Sequence, residues 1–356
     1  MNRGELLDRL ERGEVISNVD LSGVDLAGAE LGPGVFEGVR FANGRMSGVA
    51  LAGSIFSRCD FAGAELVGGR LAEAVFQECS FTAARLARAD LVDAKVLDSD
   101  LTEGDFSTAR MNRITVSESR CDRAILRAAD LEEAVILASS VERVDASDSN
   151  LVRAVIMNAD LRTANLVGVR LDRTILSASN LCGQDLQGAS LRRCQLMDAD
   201  LRGCNLKRAD LRQCNFKGAK MEAADLTDAE AANALFIECD LHRSKLGRVR
   251  ARQALFVGAN LSECNLRGAD LYQAILHRAR CRRTLFAQAD LSYADLSWAD
   301  VSGSNFFDAK FLRTKVHRVV DEETEWGNRS GTLGTDPELA AAEDWRPGTP
   351  AGDRGP

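Results

Sequence analysis

Three cysteines, Cys194, Cys204 and Cys214, recur at intervals of ten in the stretch LRRCQLMDADLRGCNLKRADLRQCNFKGAK (191–220), among arginines and lysines. Evenly spaced thiols in a basic setting suit a metal site, a redox centre or a nucleic-acid-binding element. The chain has ten cysteines but no C-x-x-C pair, and His242, His277 and His317 stand at no ligand spacing. No phosphate-cradling loop, zincin helix or nucleophile elbow occurs. The sequence therefore predicts no catalytic residue, no metal and no cofactor, and argues against an enzyme. The remaining question is why the spacing is ten.

Every fifth residue from Ile16 to Val316, 61 positions in all, is Leu, Ile, Val, Met, Phe, Ala or Cys, and the phase never slips. Thirteen of the 14 phenylalanines fall on it; only Phe307 does not. Two residues before nearly all of them stands a small side chain, such as Ala64, Ala129 or Cys204. A period of five fits neither a helix, where successive leucines would wander around the axis, nor a straight strand, where they would alternate faces. It fits a short extended segment that points a small and a large residue inward and then turns a corner. Phenylalanines repeat at twenty (Phe36, Phe56, Phe76; Phe216, Phe236, Phe256), which predicts four sides per coil. About 15 coils at ~4.8 Å each make a rod of roughly 70 Å. On this reading seven cysteines fill the small inward slot, Cys121 and Cys281 the large one, and only Cys182 a corner. The thiols then serve as small core residues.

The runs AADLEE (128–133), GADLYQ (268–273) and QADLSYADLSWAD (288–300) resemble the A-[D/N]-L-x-x pattern of the pentapeptide-repeat family. The resemblance covers about 16–316. It implies an all-β fold, a right-handed quadrilateral parallel β-helix. It implies little about function, because the family serves unrelated roles.

Outside the repeat, residues 1–15 predict a short amphipathic capping helix, with Leu6, Leu7 and Leu10 at helical spacing. Residues 317–356 hold four of the five prolines and predict an acidic, largely disordered tail, with a helical turn at DPELAAAEDW and Trp326 packed on the last coil. The N-terminus lacks a signal-peptide core and no stretch approaches a membrane span, so a soluble cytoplasmic protein is expected. Within the repeat, Ile114 is oversized and Gln184 is polar at the small inward slot, and the stacked Ala231 and Ala251 thin the core; all mark expected bends or soft points.

Function must then lie on the outward surface. Apolar outward residues concentrate in one register of the twenty-residue cycle: Val15, Val35, Ile55, Val75, Val135, Val155, Ile175, Leu235, Leu255 and Ile275. They read either as β-formers in a flat sheet or as a partner-binding ridge. Arg153, Arg173 and Arg193 form a basic ladder flanked by Arg192 and Arg212. Tyr272, Tyr293, Trp298 and Phe307 lie off the inward phase near the end and read as a homodimer interface or a cap. Charge is segregated, −10 over residues 1–150, +7 over 151–316 and −5 over 317–356.

Three functions are compatible with these features. The first is a non-enzymatic protein-interaction scaffold with unidentified protein partners; the resemblance implies a bacterial protein and places long relatives beside secretion machinery such as type VI systems. The second, also implied by the resemblance, is a DNA mimic that binds DNA gyrase and confers quinolone-type resistance. The third is nucleic-acid binding by the basic half, which would be steeply salt-dependent. No small-molecule substrate and no membrane partner are expected.

Overall fold

The computed structural model describes residues 1–345 and forms a parallel β-solenoid of about 16 turns behind a short N-terminal helix. Pairing is parallel throughout and at a register of twenty, as in Val35 facing Ile55 and Phe36 facing Phe56, except for the last pair, Thr314 with Thr332, at eighteen. We number the sides by their outward residue: side 1 carries Val15, Val35 and so on by twenties, side 2 Asp20, side 3 Asp25 and side 4 Glu30.

The repeat builds this shape because each pentapeptide settles its own backbone polarity. The N–H of the large residue donates to the coil ahead (Leu21 to the Arg40 carbonyl, 2.7 Å), and that of the outward residue to the coil behind (Arg40 to the Val19 carbonyl, 3.0 Å). The corner closes with a third bond, Val24 N–H to the Leu21 carbonyl at 3.1 Å. Its second residue has positive φ, as in Gly23 (68°) and Asn43 (56°), the region glycine and asparagine tolerate best. The core is a set of columns. Phe36, Phe56 and Phe76 stack at 4.8 and 4.9 Å, and Phe216, Phe236 and Phe256 at 5.0 and 4.9 Å.

Side 1 differs from the others in its first half. There it forms eight short strands, β1 (Ile16–Ser17), β2 (Val35–Glu37), β3 (Ile55–Ser57), β4 (Val75–Gln77), β5 (Lys95–Leu97), β6 (Thr115–Ser117), β7 (Val135–Leu137) and β8 (Val155–Ile156), joined in order into one sheet. From Ile175 onward it continues as single-residue bridges.

Helix α1 (Arg3–Glu11) is capped by Asn2, whose side chain accepts from the Glu5 N–H while the Glu5 carboxylate accepts from the Asn2 N–H. Leu6 is buried over the first coil. At the other end the structure corrects the expected disordered tail over 317–356. The ladder runs on through the Asn305–Glu325 bridge. Strand β9 (Thr314–Lys315) pairs with β10 (Thr332–Leu333), and α2 (Pro337–Asp344) folds back on the rod. The physical reason is the open last coil. Trp326 lies flat on Phe306 (4.7 Å, 7°) and its indole N–H donates to Asp321, so an acid can occupy an inward phase with only one coil beneath it. The last part of that tail, 346–356, lies outside the described residues.

The ladder has two interruptions, and the expected soft point at Gln184 lies at the second. On side 2 the bridges run Asp100–Arg120–Ser140 and resume at Asp160–Asn180. On side 3 they run Asp145–Asn165 and resume at Asp185–Asn205. Elsewhere the carbonyl of the small inward residue accepts a backbone N–H from the next coil, as Val144 does from Asn165 and Gln184 from Asn205. At Ala164 that place is taken by the Gln184 side-chain amide, which donates to the carbonyls of Ala164 (2.9 Å) and Leu161 (2.6 Å). A long polar side chain in a slot built for alanine thus substitutes for backbone pairing. Ile114, by contrast, is fully buried with its ladder bonds intact.

Candidate functional site

The cysteines face inward. Cys194, Cys204 and Cys214 are fully buried, and their thiols donate to the carbonyls of Leu171, Leu181 and Leu191 at 2.7, 2.9 and 2.7 Å. Burial pushes the thiols of Cys204 and Cys264 up to about 12 and that of Cys194 well above its ordinary value. Thiols buried and held this far from ionising are poor nucleophiles. Among the described residues no group of three or more His, Cys, Asp or Glu side chains is gathered as a metal site.

The outward apolar residues form a single column. Val15, Val35 and Ile55 are 48%, 42% and 47% exposed, and Val75, Val135, Val155, Ile175, Leu235, Leu255 and Ile275 continue the same side. Register pairing joins Val35, Ile55 and Val75, then Val135, Val155 and Ile175, then Leu235, Leu255 and Ile275. Two polar gaps, Lys95–Thr115 and Gln195–Asn215, divide the column into three patches. Leu137, Met157 and Met197 stand exposed on the corner toward side 2 and widen it. Helix α2 covers side 1 only at its far end. There His317 accepts the Asp336 N–H at Nδ1 and therefore donates from Nε2 to Glu343 (3.0 Å). Arg318 pairs with Asp344 at 2.6 Å and lies 4.9 Å above the Trp298 ring. The hydrogen bond from His317 holds the Glu343 carboxyl below its ordinary value.

The arginine ladder forms on the corner between sides 4 and 1. Val152, Arg153, Arg170, Asp172, Arg173, Arg192 and Arg193 line an open recess of ≈ 240 Å³. Glu132 and Glu133 pair with Arg153, Asp210 with Arg192 and Arg212, and Gln213 accepts from Arg193. Arg173 and Arg170 enter no ion pair among the described residues. The terminal aromatics, by contrast, do not form one cluster. Tyr272 and Tyr293 meet edge to face at 5.6 Å, with Arg252 over Tyr272. Trp298 belongs to the α2 clamp, and Phe307 stands alone on another corner, 61% exposed.

Acidic residues of the first half are interspersed with arginines along sides 2, 3 and 4 and the corner between sides 4 and 1. Arg40 pairs with Asp20 (3.1 Å), Arg85 with Glu65 (3.0 Å), Arg110 with Asp90 (3.0 Å) and Arg113 with Asp93 (2.6 Å). Sequence reasoning found the columns and, from the run DPELAAAEDW, the helical turn that becomes α2, but not its clamp onto His317 and Arg318.

Comparison with known proteins agrees with this geometry. The family model described as "Pentapeptide repeats" matches in overlapping copies over 16–58, 35–71, 70–107, 142–177, 164–203, 174–213, 214–250, 239–280 and 276–306. No curated protein matches the chain in sequence. Among solved structures, a trypsin-treated form of QnrB1, a plasmid-mediated fluoroquinolone resistance protein, is 20% identical with a TM-score of 0.33, covering 52% of this chain and 90% of its own. HetL, a pentapeptide repeat protein involved in heterocyst differentiation regulation from the cyanobacterium Nostoc sp. strain PCC 7120, is 22% identical with a TM-score of 0.23, covering 74% and 96%. A pentapeptide repeat protein from the Arabidopsis thaliana thylakoid lumen is 29% identical with a TM-score of 0.16, covering 33% and 67%.

Proposed function

This chain belongs to the pentapeptide-repeat family, and on that premise we propose that it is a non-catalytic rod that docks protein on side 1. The observation that carries this reading is the confinement of outward Val, Ile and Leu almost entirely to one side, where they form contiguous patches, exposed at Val15, Val35, Ile55 and Ile275 and half-buried between. Buried, un-ionised thiols and scattered histidines support the non-catalytic part. No helix among the described residues is long and apolar enough to cross a membrane. The family's long members beside secretion machinery, type VI systems included, make such components the first partners to try.

The experiment is side-specific capture. A photo-crosslinking residue at Ile55, Val155 or Ile175 should trap a discrete protein, and the same residue at Asp60 or Asp160 on side 2 should not. Equal capture from both sides overturns the reading.

A gyrase-directed DNA mimic is less well served by this surface, because columns of interspersed Arg and Asp do not present a continuous polyanion. A supercoiling assay without any effect at micromolar protein removes that option. Nucleic-acid binding finds its support in the unpaired Arg170 and Arg173 of the recess, and predicts a gel shift whose affinity falls steeply with salt.

A further inference from the structure

The outward column of side 1 reads nearly the same in both directions about Val155. From Val35 to Ile275 its members run Val35, Ile55, Val75, Lys95, Thr115, Val135, Val155, Ile175, Gln195, Asn215, Leu235, Leu255, Ile275. Reversing the order places apolar on apolar and polar on polar at every step: Val35 on Ile275, Ile55 on Leu255, Val75 on Leu235, Lys95 on Asn215, Thr115 on Gln195 and Val135 on Ile175. A two-fold axis at Val155, with two rods laid antiparallel, performs this reversal. From the column and the charge distribution we infer that the partner on side 1 is a second copy of this chain, docked antiparallel with its dyad at Val155. This rests on the reading of side 1 as a protein-docking face.

Charge supports the same arrangement independently. Antiparallel pairing sets the −10 half of one rod along the +7 half of the other. It also keeps like corners together, so the corner between sides 4 and 1 meets its symmetry mate. Arg173, which has no carboxylate of its own, falls opposite Glu133, and Arg212 lies across from the Val92–Asp93 corner. Like charges meet at Arg153 on the dyad, where Arg113 faces Arg193, and on the corner toward side 2 where Glu78 faces Glu238 and Glu118 faces Asp198. Arg153 is already held by Glu132 and Glu133, and Arg113 by Asp93. On the opposite corner Met157, exposed in the monomer, meets Met157 of the mate. Helix α2 covers side 1 around Asp295 and Lys315, where this register brings the mate's Val15 and helix α1, so the rods close over Val35–Ile275 only with α2 swung aside.

The test uses the full chain with Cys182→Ser, since the other native cysteines are buried. A short bis-maleimide should link Val155→Cys to itself, giving a species of twice the 38.5 kDa chain mass. Ile55→Cys alone should not link, whereas Ile55→Cys mixed with Leu255→Cys should. Val155→Arg should sediment as a monomer with an unchanged circular dichroism spectrum, and raising salt should weaken the wild-type dimer about tenfold or more. A wild-type chain that sediments as a monomer at tens of micromolar overturns the inference, as does Ile55→Cys linking to itself as readily as Val155→Cys. A monomer whose side 1 still photo-crosslinks a different protein overturns the second copy and keeps side 1 as the docking face. A monomer that captures nothing there overturns both.

Discussion

Gln184 shows what one side chain does to a repeating backbone. Its amide fills carbonyls that the next coil's N–H groups would otherwise reach, and the ladder opens around it. Gln184→Ala should let the Asp185 N–H pair with the Ala164 carbonyl. We expect a gain on the order of 1 kcal/mol, read as a higher Tm, and slower hydrogen exchange at Asp185. A lower Tm with unchanged exchange would show that the amide stabilises the gap. The thiols behave in the opposite sense, because they fill slots that suit them. A thiol reagent on the folded protein should label Cys182, the one partly exposed cysteine, and leave Cys194, Cys204 and Cys214 untouched until unfolding. The cysteine positions were legible in the sequence because the five-residue phase dictates inward or outward. The consequence of Gln184 was legible only as a location: which carbonyls it takes depends on the distance between coils, which no pattern of residue types encodes.

At the scale of elements, the two ends are closed differently. Helix α1 is held by a capping box and a buried leucine, both readable from Asn2, Glu5 and Leu6. Helix α2 is held by charge and by one imidazole. Because the Glu343 carboxyl titrates lower when folded than when unfolded, the clamp's contribution is complete above the ordinary glutamate pKa. It is lost as pH falls through the folded value. Acidification below about pH 4 should release α2 before the solenoid melts, seen as Trp298 fluorescence changing while β-sheet circular dichroism holds. Glu343→Gln should show the released signal already at neutral pH, and a signal that moves only with global unfolding would contradict the clamp. At this end the helical run at DPELAAAEDW and Trp326 on the last coil were legible in the sequence, and the continued order between them was not, for a specific reason. Asp321 at an inward phase reads as the end of the repeat, yet Trp326 satisfies it from above, a partnership that exists only where a coil has no successor.

For the whole molecule, the family and the rod followed from phase alone, while the grouping of surface residues required the sides to be assigned. Arg153, Arg173 and Arg193 do share one corner, as spacing predicts. Tyr272 and Tyr293 share one corner, whereas Trp298 and Phe307, near them in sequence, are separated onto two others because each step of five turns the chain. The rod should also unfold in two blocks. Coils before the gaps and coils after them share an interrupted ladder, so denaturant should give two transitions, which Gln184→Ala should draw closer together by restoring the side 3 bridge.

The twenty-residue closure also makes the molecule an indexing device. Removing one complete coil, for example 196–215, shortens the rod yet returns every later residue to its own side. Removing five residues, for example 206–210, preserves the inward phase and the core but rotates everything beyond by a quarter turn. Leu235, Leu255 and Ile275 would then continue the side 4 column, out of line with Val35, Ile55 and Val75. Both deletions should fold, and only the five-residue one should scatter the surface columns. A chain of 61 pentapeptides without a slip therefore fixes more than a core: it keeps angular position constant over its whole length, so that separate stretches of sequence address the same direction in space.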